Sequence, residues 1–243
     1  MPTIQATDSS ATGAASTQDV VLTVAAPANL IAVVVPYGYY LTNNYLPPSG
    51  IVWDVGGAAQ ALTRVGQMLV DGGAWGAVEL WLLWNPTAGT SKTLRISWND
   101  GQPSQQQAFA FVIEGADQTA TGTPTQYEND GTGGASGDKT VTLAGTAVGD
   151  LILGGWYDDQ GPGSTLTVLN SPLTGLEWED VGSDSDAAAH AWAGQAGSTT
   201  VGYNLTDTAN GSWGVAAWTI KGAPKDRPPQ YGPRGMLATL ARM

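Results

Sequence analysis

Hydrophobic and polar positions alternate most regularly from Val78 to Trp98, VELWLLWNPTAGTSKTLRISW. Leu80, Leu82 and Trp84 fall on one face and Glu79, Trp81 and Leu83 on the other, which is the period of a β-strand. Asn85-Pro86 and Gly89 supply turn chemistry. In the returning run Leu94, Ile96 and Trp98 share a face, while Lys92 and Arg95 mark the wet side. The pattern predicts a β-hairpin. A fainter copy, AAHAWAGQAGSTTVGYNL, runs from Ala188 to Leu205.

The remaining chain can be laid out around these two hairpins. Asp19 to Tyr40 predicts a strand, a proline turn and an apolar β-branched strand over Leu30 to Val35, ended by Pro36. Ala58 to Val65 fits one helical turn by period, but its flanking Gly and Thr favour a strand. Phe109, Phe111 and Ile113 alternate with small or apolar residues, as in a strand packed on both sides. Residues 19–116 and 138–223 then repeat one order of elements, and both close on Ile-x-Gly-Ala (Ile113 to Ala116, Ile220 to Ala223). Each half offers four or five strands by this reading, too few to stand alone. The expectation is an all-β chain: a single jelly-roll-like antiparallel β-sandwich built from two similar halves over 19–223. A polar connector, 117–137, crosses between the halves. Residues 1–18 read as a flexible or surface-draped N-terminal arm. Residues 224–243 carry four prolines and form a basic C-terminal tail that cannot join a sheet interior. Its end, MLATLAR, allows at most two helical turns, which need a groove to lie in.

Composition sharpens this outline. The chain has 243 residues, enough to bury a sizeable core. It has no cysteine, which removes disulfides, thiolate metal sites and cysteine nucleophiles. The formal net charge is −12, which disfavours nucleic acid as a partner of the body. Five of the nine basic residues lie from Lys221 onward against Asp226 alone, so that end carries +4 and the remainder −16. An acidic body with a basic tail suggests docking of the tail on an acidic neighbour, such as another copy of the chain. No signal peptide is legible at the N-terminus, and the longest apolar run, Leu30 to Pro36, is too short to span a membrane. Asn204-Leu-Thr206 and Asn210-Gly-Ser212 match the glycosylation sequon and read as chance.

The run IVWDVGGAAQALTRV, then the Val78–Trp98 hairpin, then FVIEGADQT resembles a β-sandwich family common in the virion proteins of tailed bacteriophages. The matching positions are Gly56, Gly57, Leu62, Thr63, Val78, Leu80, Trp81, Leu83, Pro86, Ala88, Gly89, Thr90, Gly115, Asp117 and Gln118. The likeness covers about residues 19–223 and departs from the usual pattern at 53–61, where the Gly-Gly segment is stretched. These are turn and core residues, so they form a signature of fold and not of catalysis. The resemblance implies a structural or surface-binding part of a phage particle: capsid decoration, tail or fibre.

Candidate chemistry is sparse. His190 is the sole histidine and no Gly-x-Ser-x-Gly occurs, so a Ser-His-Asp triad has no serine elbow. Glu177, Glu179 and Asp180, with Asp158-Asp159, are carboxylates of the kind glycoside hydrolysis needs, but loop placement explains them as well. Asp184 and Asp186, and Glu128 to Gly131, offer oxygen ligands for calcium without completing an EF-hand loop. Trp81, Trp98, Trp192 and Trp218 read as core. Trp75 and Trp178, with Tyr39 and Tyr157, read as contact aromatics for a subunit or a glycan. In the tail, Arg227, Arg234 and Arg242 with Met236, Leu237 and Leu240 read as an interface segment. No cofactor is expected. The expectation is therefore a non-enzymatic virion structural protein whose partners are copies of itself and other virion proteins. The alternatives are a carbohydrate-binding module for host-surface attachment and, more remotely, a polysaccharide-acting enzyme.

Overall fold

The structure is a computed structural model that describes residues 2–10, 15–38, 47–71, 75–99, 105–118, 124–132, 137–158, 165–182, 185–206 and 211–223. It is all-β, with several antiparallel sheets packed on one another and no α-helix among the described residues. The first half holds β1 (Thr3–Ser9), β2 (Thr17–Val24), β3 (Ala28–Gly38), β4 (Pro48–Trp53), β5 (Gln60–Ala61), β6 (Thr63–Val70), β7 (Gly76–Trp84), β8 (Gly89–Trp98), β9 (Gln105–Gln106) and β10 (Phe109–Glu114). The second holds β11 (Gln126–Thr132), β12 (Gly137–Thr146), β13 (Leu151–Asp158), β14 (Thr165–Val168), β15 (Thr174–Gly182), β16 (Ser185–Ala193), β17 (Gly197–Thr206) and β18 (Ser212–Ile220).

Each half builds two sheets. In the first they run β1-β10-β3-β7-β6 and β2-β8-β4-β5; in the second, β11-β18-β13-β16-β15 and β12-β17-β14. β5 and β6 act as two legs of one strand that passes from one sheet to the other, and β9 continues β10 along β3. Counted this way, both halves share one winding. The first, eighth, third, sixth and fifth strands form the inner sheet, and the second, seventh and fourth form the outer one. That is the double Greek-key winding of a jelly roll.

The sandwich therefore has four layers, because each half folds as a two-sheet roll and the two inner sheets face each other. Three expectations are corrected. Among the described residues the halves carry ten and eight strands once β1 and β11 are included, not four or five. Thr3–Ser9, read as an unpatterned arm, pairs with β10. Gln126–Thr132, read as connector, pairs along β18. Polar content did not prevent pairing there, because β1 and β11 are edge strands whose residues are mostly exposed or half-buried.

Burial follows from this layering. β2 alternates strictly between exposed and buried residues, as an outer strand with one wet face should. β3 is buried without interruption from Leu30 to Gly38 because both of its faces are covered. Its Leu30, Ala32 and Val34 join Leu151, Leu153 and Trp218 in the core between the halves. Its Ile31, Val33 and Val35 join Val20, Leu22 and Trp53 in the core of the first roll. Ile152, Trp156, Trp192 and Tyr203 form the matching core of the second. Full burial of each such side chain stabilises the fold by about 1.5–3 kcal/mol.

The two inner sheets approach closely at Gly155, where a Cβ would stand 2.6 Å from the Val34 and Val78 methyl groups. One seam between the halves is clasped by Gln126. Its Oε1 accepts the Gln67 backbone N–H at 2.7 Å and the Trp218 indole N–H at 3.0 Å, and its Nε2 donates to the Gln67 carbonyl. A β11 side chain thus completes hydrogen bonds of the β6 edge.

Candidate functional site

Strand register places one set of strand ends together. Gly38 lies opposite Gly76, and Val70 also lies opposite Gly76. Gly38 also pairs with Gln105, and Ser9 with Phe109. In the second half Asp158 lies opposite both Asp186 and Trp213, and Thr132 opposite Ser212. The Tyr157 ring lies over Gly38 and Gly76, which brings both groups of ends to the same side of the molecule. Asp71, Trp75, Asp130 and Tyr157 lie at this end.

Trp75 stands at the start of β7 and is 37 % exposed. Its indole N–H donates to Asp71 Oδ2 at 3.1 Å. Asp71 adopts a positive φ of 49°, and its own N–H donates to Asp130 Oδ2 of β11 at 3.2 Å. The ring is thus held by a carboxylate relay that crosses from one half to the other. A fixed aromatic face beside two carboxylates can stack on an apolar sugar face and accept hydrogen bonds from hydroxyls.

Tyr157 has the opposite fate and corrects the expectation of an available contact ring. It is fully buried between the halves, and its hydroxyl donates to Gln105 Oε1 at 3.1 Å. Gly38 and Gly76, more than 80 residues upstream, leave the space that its ring fills. Tyr39 lies outside the described residues. Trp178 lies on β15, at the irregularity between Leu176 and Glu179, and its side chain is outside the described set. Trp81, Trp98, Trp192 and Trp218 are all buried.

The acidic candidates sit on strands, not loops. Glu177, Glu179 and Asp180 belong to β15, and Glu128 to Gly131 belong to β11. Asp158 is buried and accepts the Trp156 indole N–H at 3.0 Å, and the strand register pairs it with Asp186 on β16. Asp159 and Asp184 lie outside the described residues. Among the described residues no group of three or more His, Asp or Glu side chains is placed to hold a metal ion. Lys221, counted above with the basic end, is held by Asp150 at 2.8 Å and by the Gly145 carbonyl at 3.2 Å. Arg227, Arg234, Met236, Leu237, Leu240 and Arg242 lie outside the described residues.

Among the buried ionisable groups, Glu79 and His190 were not legible as such. Glu79 is fully buried in the first roll. Its Oε1 accepts from Arg64 Nη1 at 2.8 Å, from the Tyr37 hydroxyl at 3.0 Å and from Gln67 Nε2 at 3.1 Å; its Oε2 accepts from the Trp81 indole at 2.8 Å. His190 stands where Trp81 does in the first half: Trp81 lies opposite Val33, His190 opposite Gly154, and both ladders are anchored by the matching Leu30 and Leu151 pairs. In that register Ala188 takes the place of Glu79, so the position lacks its acceptor. His190 Nδ1 has no partner among the described residues. The ring is 6 % exposed, packed against Trp192 and Tyr203, and burial lowers its pKa to about 4. Among the described residues no serine or carboxylate is bonded to it, and the ring is held by packing against Trp192 and Tyr203.

Comparison with protein families, with curated proteins and with solved structures returns no match.

Proposed function

We propose that the chain is a non-enzymatic structural protein on the surface of a tailed-phage particle, as capsid decoration or as a tail or fibre component. There it assembles with copies of itself and with other virion proteins. The observation that carries this reading is the architecture. Two rolls of one winding are fused through their inner sheets, and both present their strand ends on the same side. Jelly rolls serve as viral capsid and lectin domains, and fusing two of them doubles the surface offered at one end. A fold by itself does not assign a function, so the reading also leans on the likeness of the Val78–Trp98 hairpin to phage virion proteins. The direct test is mass spectrometry on gradient-purified particles from cells producing the phage that encodes this chain. The expected result is recovery with the particles at a fixed ratio to the major capsid protein. Recovery only in the soluble fraction would sink the reading.

Trp75 favours a second reading, a carbohydrate-binding surface for host attachment, because it is exposed and its ring is already oriented. Pre-orientation lowers the entropy cost of stacking. On a glycan array, Trp75→Ala is expected to weaken any wild-type signal by roughly tenfold or more, the scale of one lost aromatic contact. A signal that survives the substitution unchanged would remove Trp75 from the site.

A further inference from the structure

At the seam opposite the Gln126 clasp, β1 lies beside β15. A groove of about 340 Å³ runs there, lined by Pro2, Thr3, Ile4, Gln5, Ala6 and Thr7, with Leu173 facing them. Leu173 is 49 % exposed. Among the described residues β1 pairs only with β10, so its other edge offers free backbone groups. Free edges of this kind recruit another strand unless something covers them.

The described chain ends next to this groove. Ala116 and Gly222 form a bridge, and the Ala223 N–H donates to the Gly115 carbonyl at 2.9 Å. A Cβ built on Gly222 would stand 3.1 Å from Pro2, the first residue lining the groove. Twenty residues follow Ala223. Prolines at 224, 228, 229 and 233 bar regular pairing over the first ten. The last ten, Arg234 to Met243, contain no proline and carry Met236, Leu237 and Leu240. The proline-rich stretch spans roughly 30 Å when extended, while a seven-residue strand spans roughly 23 Å, so the last ten residues can reach any part of β1.

We propose that the chain's own residues 234–243 seat in the β1 groove. The segment backbone pairs with the open edge of β1 as an extended strand, so Leu237 and Leu240 point to opposite faces; one covers Ile4 beside Leu173 and the other covers Ala6, which the bulge in β1 turns to the opposite side from Ile4. Charge favours the match, since the segment carries Arg234 and Arg242 and the β1 neighbourhood carries Asp8 and Glu114. Tethering favours the chain's own segment over a neighbour's, because a short linker holds it near the groove at millimolar effective concentration. The seat would serve the chain whether or not it enters a particle.

The test is hydrogen–deuterium exchange of residues 2–9 in the full-length chain and in a Leu237→Asp/Leu240→Asp variant, with light scattering on both at two concentrations. The expected result is exchange roughly tenfold or more faster in the variant, with both chains monomeric and protection independent of concentration. Equal exchange in the two chains overturns the proposal. Protection that appears only where light scattering reports a dimer also overturns it, and gives the groove to the segment of a second copy. Neither outcome depends on whether the chain is found in virions.

Discussion

Between pH 7 and pH 4.5 the wild-type chain should lose about 2.5 kcal/mol of stability that a His190→Gln chain keeps. The cause is the difference between the folded and unfolded imidazole. In the fold, burial against Trp192 and Tyr203 lowers the pKa to about 4. In the unfolded chain the ring returns to its ordinary value of 6.5. Above pH 6.5 neither state binds the proton and His190 contributes no pH dependence. Below it the unfolded state takes up a proton that the fold refuses, so stability falls with pH until about pH 4, where the folded ring also titrates. The slope within this window is about 1.4 kcal/mol per pH unit. The 21 carboxylates titrate in the same range, but they are common to both chains and cancel on subtraction. Urea unfolding at pH 7, 6, 5 and 4.5 reads the difference directly. Parallel stability curves for the two chains would show that the ring gains its proton without cost.

Glu79 should be the most costly single polar side chain to remove. Its two oxygens accept four hydrogen bonds inside the first roll, from Arg64, Tyr37, Gln67 and Trp81. Glu79→Ala strands those donors, two of them on buried residues, and leaves a void. Breaking one side of a buried ion pair typically costs about 3–5 kcal/mol. Arg64 is 41 % exposed and can turn to water, which moderates its own share. Glu79→Gln is the more discriminating change. The amide oxygen can serve the three donors at Oε1, but the NH₂ then faces the Trp81 indole N–H, donor against donor. Turning the amide over sets its NH₂ against the Arg64 guanidinium, which can only donate, while the Tyr37 hydroxyl and a turned Gln67 amide can accept from it. The expected cost is about 1–3 kcal/mol, the penalty for one buried donor left unmet. Denaturant midpoints for both variants at constant m-value measure these costs. A Glu79→Gln chain as stable as the wild type would mean that the Trp81 contact carries no weight.

The two predictions share a cause. The halves have the same winding, yet the place that holds the Glu79–Trp81 pair in the first half holds Ala188 and His190 in the second. In the first half the indole N–H meets a carboxylate. In the second the smaller imidazole sits beside an alanine, and Gly154 makes room for the Trp192 ring. One roll therefore holds a buried carboxyl group among hydrogen-bond donors, and the other a buried neutral imidazole whose Nδ1 has no partner among the described residues.

Much of this fold could be read locally. The Val78–Trp98 hairpin, its echo near the C-terminus, the twofold order of elements and the all-β class follow from period and turn residues. Those signals depend only on near neighbours along the chain. The contrast between β2 and β3 was also written in the sequence: strict alternation marks a strand wet on one face, and an unbroken apolar run marks one covered on both. The role of that contrast could not be read locally. An unbroken run says that both faces are covered, but not by which sheets.

The number of layers was a tertiary decision, because it depends on which apolar faces find each other across the whole chain. β1 and β11 were missed for a related reason. Edge strands are held by backbone pairing to β10 and β18 and need little apolar patterning of their own. Tyr157 shows the same limit at a single residue. As a sequence position it is an aromatic beside a polar run, but Gly38 and Gly76 leave a hole of its shape and bury it. Trp75 has no such hole and stays exposed, fixed by carboxylates from two separate strand ends. The sequence by itself determined the strands, the turns and the repeated halves, since each rests on periodicity and local conformation. Only the tertiary structure decided how many layers those strands make, which aromatic rings meet solvent and which charges are buried, because these depend on surfaces supplied by residues far away along the chain.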